Sequence, residues 1–379
     1  MTGCGELLDR AKPYIAMISL QFGYAGSNII TKVSLTSGMS HYVLVVYRHA
    51  FATISIAPFA FFLEWKVRPR VTKLVFLQIF VLGLLGPVID QNLYYLGLKL
   101  TSPTFSCAMS NMLPAMTFVI AVLCRMEKVN IKKLIYQAKV VGTLVTVAGA
   151  MVMTLYKGPI LEIVWNRHGH SGASDSPTAA NLSKEDWFLG SIFLILATLA
   201  WASLFVLQAV TLKQYSAQLS LTTWICFVGT LQAIAVTLAM EHEPSVWRIG
   251  FDMNLLAAAY AGIVTSSLAY YVQGLVINKR GPVFASAFSP LMMIVVATIG
   301  LFILNEKIYL GGVVGAVLIV VGLYSVLWGK YREKKEMASL ALPMAMKESE
   351  GHQVGNRGKE ISGITKSTAP AKTEKELEA

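Results

Sequence analysis

The chain alternates long apolar blocks with short polar breaks. The blocks fall roughly over 13–35, 41–63, 73–99, 103–125, 134–156, 187–210, 218–240, 253–278, 282–304 and 308–330. A run of about 20 apolar residues, wound as a helix, matches the hydrocarbon core of a bilayer. A soluble helix shows a narrower apolar stripe. The pattern predicts an all-α polytopic membrane protein with ten transmembrane helices. Composition agrees: of 379 residues, 55% are hydrophobic and 14% charged, whereas a soluble domain carries about a quarter charged residues. The first block is long and lacks a small-residue cleavage site, so no cleavable signal peptide is expected.

An even number of spans puts both termini on one side, and the basic residues say which. The N-terminus, the even-numbered loops and residues 330–335 hold 17 Lys/Arg, against 6 in the odd-numbered loops. The bias places both termini in the cytosol. The net charge of +11 lies in loops and tail, without a basic patch interleaved with aromatics, so nucleic acid is not an expected partner. The loop 157–186 faces outward; its His168 and His170 read as solvated side chains, and its Asn181 sequon lies too near the sixth span to be used. The tail from about 336 is polar and of mixed charge, a composition that predicts disorder. Cys4, Cys107, Cys124 and Cys226 show neither metal-ligand nor disulfide spacing and read as small packing residues.

The two halves repeat. Residues 102–129 align without gaps on 281–308, pairing Pro103 with Pro282, Phe105 with Phe284, Ser110 with Ser289 and Glu127 with Glu306. A second match sets Gly142 on Gly315 and Gly149 on Gly322. Five helices per half is an odd number, so the second half must be inverted, the build of many secondary transporters whose substrate site lies near the midplane. The expected organisation is a first repeat over 1–157, an outer loop over 158–186, a second repeat over 187–331 and a tail over 332–379. Gly311, Gly312, Gly315, Gly142 and Gly149 sit at spacings that allow close helix packing.

One polar interruption stands out in "GLLGPVIDQNLYYLGLKL" (83–100), where Asp90, Gln91 and Asn92 break an apolar run. At about 1.5 Å per residue, Asp90 and Arg48 both fall about 6 Å to the outer side of the midplane, and Asn111 about 4–5 Å. Ionisable groups at this depth face the bundle interior and take partners. Arg48 with Asp90 is the expected pair, acting either as a gate or zwitterion ligand, or as a structural ion pair; Asp90 as a proton carrier is a third reading. Gln91, Gln21, Tyr24, Asn28, Trp201, Tyr270, Gln273 and Ser289 complete the candidate cavity, since amphipathic aromatics with amides suit a small organic solute. Pro87, Pro114 and Pro290 interrupt the helical hydrogen-bond ladder and are candidate hinges. Lys32 and Lys139, near span ends, are expected to snorkel. No Walker motif, intramembrane zinc-ligand pair or nucleophile elbow is present in the sequence, so no enzyme activity, cofactor or metal is expected.

The stretches "LQFGYAGSNIITKVSL", "VYRHAFATISIAPFAFFLE", "IDQNLYYLGLKLTSPTFSCAMSNMLPAMTFVIA", "RMEKV", "AGIVTSSLAYYVQGLVINKRGPVFASAFSPL" and "YLGGVVGAVLIVVGLYSVLWGK" resemble the plant nodulin-21/EamA-like transporters. That family lies in the drug/metabolite transporter superfamily and includes the Walls Are Thin proteins and the Usually Multiple Acids Move In and out Transporters. The resemblance covers about 13–331. It implies two EamA repeats and facilitated movement of amino acids, typically export with bidirectional capability, usually at the plasma membrane. Some relatives move auxin at the vacuolar membrane, so carriage of auxin or another indolic or phenolic metabolite is the competing expectation; a non-transporting scaffold whose tail recruits partners is a third reading, of a different class. By the same resemblance the cavity lies between the repeats, around the first, third, fourth, sixth, eighth and ninth spans.

Overall fold

Local signals start and stop the helices. The Thr72 side chain accepts the Val75 amide at 3.3 Å and opens one helix, and Asp252 accepts the amides of Asn254 and Leu255 at 3.0 and 3.3 Å to open another. Gly38 and Gly281, at φ 92° and 88°, sit where the chain leaves a helix through the left-handed region. The computed structural model describes residues 2–101, 106, 109–127, 132–156, 159, 184–303, 310–333 and 335–336. The loop segment 160–183, with His168, His170 and Asn181, and the tail beyond 336 lie outside the described residues.

The helices, in chain order, are α1 (Thr2–Thr36), α2 (His41–Glu64), α3 (Lys73–Leu100), α4 (Leu113–Leu123), α5 (Leu134–Leu155), α6 (Lys184–Gln214), α7 (Gln218–Met240), α8 (Met253–Arg280), α9 (Pro282–Ser286), α10 (Leu291–Ile303) and α11 (Leu310–Glu333). Seven of the described helices (α2, α3, α5, α6, α7, α8 and α11) are long and apolar enough to cross a membrane, and α4 is a shorter apolar helix. The protein is an all-α polytopic membrane protein. Large apolar side chains remain outside the packed interior, Phe62 81% and Ile54 69% exposed. That is the arrangement expected where the solvent is lipid and exposure of apolar surface carries no penalty.

Two helices widen. In α3 the turn Leu84–Asp90 is π-helical, and in α8 the same happens over Ala261–Leu268. Pro87 lies within the first of these turns and cannot donate to the ladder. Pro114 lies in the first turn of α4, and Pro290 is the last residue of the four-residue turn between α9 and α10. The backbone is thus interrupted or widened at each of the three prolines singled out from sequence.

By proximity the chain groups into Met1–Leu327 and Trp328–Ala379. In the first unit α2 packs antiparallel along α7, and both ends of that pair are pinned by carboxylates. Glu64, closing α2, accepts the amides of Leu219 and Ser220 at 3.0 and 2.7 Å at the start of α7. Glu241, just beyond α7, accepts from Ser40 Oγ at the start of α2. Helices α5 and α11 meet along their glycines: a methyl on Gly142 would touch Gly322 O at 2.8 Å, and one on Gly149 would touch Gly315 O at 2.9 Å. In the second unit the Arg332 guanidinium lies 5.4 Å from the centre of the Trp328 ring.

Lys139 departs from expectation. It is fully buried, and its ammonium donates to Glu127 Oε2 at 2.9 Å instead of reaching for the interface. The α4–α5 connection brings Glu127 back over the first turns of α5, and a nearby carboxylate makes burial of the cation tolerable. The side chain of Lys32 is outside the described residues. Of the cysteines, Cys226 is buried and Cys124 exposed, both as free thiols.

Candidate functional site

Helices α1, α6 and α8, the residues just before α4 and the α9–α10 segment converge on a small cleft. Its walls include Gln21 and Tyr24 from α1, Ser110 and Asn111 just before α4, Trp201 and Phe205 from α6, Gln273 from α8, and Ser289 and Met292 around α10. Six of the residues singled out from sequence meet here: Gln21, Tyr24, Asn111, Trp201, Gln273 and Ser289. Spacing brings them together, because Gln21 and Tyr24, and Trp201 and Phe205, stand three and four residues apart and share a helix face.

Aromatic edges and amides shape the cleft. The Tyr24 and Trp201 rings meet edge-on at 6.4 Å, and Trp201 meets Phe205 at 6.3 Å. Behind them runs a chain of amides: Tyr24 Oη donates to Gln273 Oε1 at 3.5 Å, Gln273 Nε2 to Gln208 Oε1 at 3.3 Å, and Gln208 Nε2 to the Tyr270 carbonyl at 3.3 Å. Gln21 Nε2 bonds back to the Met17 carbonyl at 3.4 Å. Asn111 is the exception. It is 3% exposed, lines the cleft, and its Nδ2 has no hydrogen-bond partner among the described residues. A buried donor left unmade costs about 1–3 kcal/mol, so the position favours an incoming acceptor. Among the described residues, no charged side chain lines the cleft.

The other sequence candidates stand around this centre. Asn28 is exposed and donates to the sulfur of cleft-lining Met292 at 3.3 Å. Tyr270 is buried and faces α3: a methyl on Gly86 would lie 3.1 Å from its hydroxyl. Gln91 is buried against α2, with its Nε2 at 3.1 Å from His49 Nε2.

Arg48 and Asp90 do not form the expected ion pair. Arg48 Nε instead donates to Ser266 Oγ at 2.7 Å, and among the described residues no hydrogen bond or ion pair joins it to Asp90. The cause is the close packing of α2 on α8. Gly262 has no side chain, and a methyl there would collide with Arg48 O and Phe51 Cβ. That contact brings Ser266, one turn further along, up to the guanidinium. The helices of Arg48 and Asp90 nevertheless meet beside them, through the contact of Gln91 with His49.

His49 and Ser266 went unread in the sequence. His49 is fully buried beside Arg48, and Ser266 lies within the π-helical part of α8. A histidine next to an intramembrane arginine in "VYRHAFA", and the polar run Thr265-Ser266-Ser267 inside an apolar helix, were the available signals. Met17, Phe205 and Met292 in the cleft wall carry no signal that separates them from ordinary apolar packing. Among the described residues no group of three or more His, Cys, Asp or Glu is placed to hold a metal ion.

Comparison with known proteins places the chain. Residues 11–155 and 188–328 match the sequence profile of the EamA-like transporter family. One WAT1-related protein of Arabidopsis thaliana is 68% identical over 340 residues, covering 88% of this chain and 85% of that protein. A second from the same plant is 57% identical, covering 86% and 81%. A crystal structure of a protein only 16% identical superposes with a TM-score of 0.61, over 82% of this chain and 97% of the other. That likeness is one of fold.

Proposed function

The chain belongs to the EamA-like transporter family, and from that membership together with the cleft we propose that it carries amino acids across the membrane by alternating access, in the direction of export and reversibly. The carrying observation is the cleft itself. Five helical segments from both family-matched stretches supply it with aromatic edges, amides and hydroxyls, the lining that suits a solute with a polar head and an apolar body.

In this reading the chain is two inverted five-helix repeats, 1–157 and 187–331, joined by an outer loop over 158–186, with a tail over 332–379. The ten spans are α1 to α8, the α9–α10 segment and α11. Reciprocal contacts support the inversion. Glu64 meets the start of α7 while Glu241 meets the start of α2, and Gly142 opposes Gly322 while Gly149 opposes Gly315. A two-fold axis in the membrane plane generates such crossed pairs. Both termini then lie in the cytosol, and the plasma membrane is the proposed location.

A second reading, carriage of auxin or a related indolic or phenolic acid, is favoured by the uncharged cleft wall and the Tyr24–Trp201 edge. Efflux from oocytes loaded with a labelled amino-acid pool or with indole acetic acid separates the two. Amino-acid efflux above control supports the first reading, and movement of the acid alone replaces it with the second. Deleting residues 336–379 addresses a scaffold role: a carrier keeps its flux.

A further inference from the structure

Arg48 and Asp90 are opposite charges inside the bundle, on helices that meet at the very next residues, where Gln91 Nε2 lies 3.1 Å from His49 Nε2, yet they are not in contact with each other. Each retains unused capacity. Arg48 spends one N–H on Ser266, and among the described residues its terminal nitrogens make no hydrogen bond. The Asp90 carboxylate has no hydrogen-bond or ion-pair partner among the described residues, and both side chains are only half-buried. Charges at this depth ordinarily pair directly. Here Ser266 holds the guanidinium on α8, while Asp90 stands at the end of the π-helical turn of α3.

A carboxylate without a donor favours a cationic one, and an arginine with free N–H groups favours a carboxylate. Helix α8 connects the two levels: it carries Ser266, which holds the guanidinium, and Gln273, which lines the cleft.

We propose that Arg48 and Asp90 are the two halves of a split head-group site, Arg48 receiving the carboxylate and Asp90 the ammonium of an α-amino acid whose side chain occupies the Tyr24–Trp201 cleft. The inference rests on the amino-acid reading above and deepens it. The head group completes an ion pair that the protein leaves open, so a solute with only one of the two charges leaves the other charge unmatched.

The test uses full-length protein in proteoliposomes and three tracers with one side chain: phenylalanine, its decarboxylated amine phenethylamine, and its deaminated acid phenylpropionate. Wild type should favour phenylalanine over both. Arg48→Gln should lower flux of phenylalanine about tenfold or more and spare the amine. Asp90→Asn should lower phenylalanine similarly and spare the acid. Ser266→Ala, which keeps both charges and frees the guanidinium, should raise the KM for phenylalanine more than for the amine. Purified wild type should gain thermal stability with phenylalanine and little with either analogue, a readout that does not depend on any variant folding. Equal loss of all three tracers in both variants, or equal stabilisation by all three solutes, overturns the split site while leaving the amino-acid reading standing. Failure of wild type to move phenylalanine at all overturns that reading, and this inference with it.

Discussion

Helix α7 begins at Gln218 after Ala217, a residue with no side chain able to cap it. Its first amides are satisfied from far along the chain: Glu64 Oε1 takes Leu219 N at 3.0 Å and Oε2 takes Ser220 N at 2.7 Å. Replacing Glu64 by Ala removes both bonds and the negative charge at the positive end of the helix dipole. A local cap is worth about 1 kcal/mol and a carboxylate at the dipole about 0.3–1 kcal/mol. The site is only partly buried, so freed amides regain some water, and the loss should be about 2 kcal/mol. For a chain of this size that corresponds to a fall in Tm of about 3 °C, read by thermal unfolding in detergent or nanodiscs. The rescue is specific. Ala217 already has the extended backbone of a capping residue, φ −78° and ψ 96°, so Ala217→Ser in the Glu64→Ala background should recover about 1 kcal/mol. The same change in wild type should gain almost nothing, because the amides are already bound. A Glu64→Ala protein with unchanged Tm, or an Ala217→Ser change equally stabilising in both backgrounds, refutes the capping argument.

The buried Lys139–Glu127 pair makes a sharper prediction. Lys139→Met should cost about 3–5 kcal/mol by removing the ammonium that faces a carboxylate 4% exposed, and adding Glu127→Gln should return most of it; a double variant no more stable than the single one contradicts the pairing. At Asn111 stability and function should separate. Asn111→Leu removes a buried donor that has no partner among the described residues, so Tm should hold or rise, while transport falls about tenfold if that amide reads the solute. Unchanged flux in that variant removes Asn111 from the site.

The membrane class was legible in the linear order because the bilayer imposes a length: a span needs an unbroken apolar run, and the runs print themselves in composition. The internal repeat was legible for a related reason. Proline, glycine and Glu-Lys pairs recur at fixed spacing wherever both halves use the same local device, and α5 and α11 do meet along the glycines the repeat singles out. Helix spacing and residue type also named much of the cleft: Gln21 and Tyr24 on one helix face, with Trp201, Gln273 and Asn111 as polar or amphipathic residues within other spans, were candidates before any packing was known.

Depth along a helix axis, however, fixes only one coordinate. Arg48 and Asp90 share a level, but which of them touches which neighbour depends on how far α2 rotates and how closely it approaches α8. That approach is set by Gly262, a residue with no polar signal of its own. Lys139 shows the same limit: its place near a span end suggested snorkelling, whereas the return of the α4–α5 connection put Glu127 against it. Local spacing and apolar length are properties of one segment and survive in the sequence. Pairing between charges on different helices is a property of their relative rotation and separation, and only the packed structure decides it.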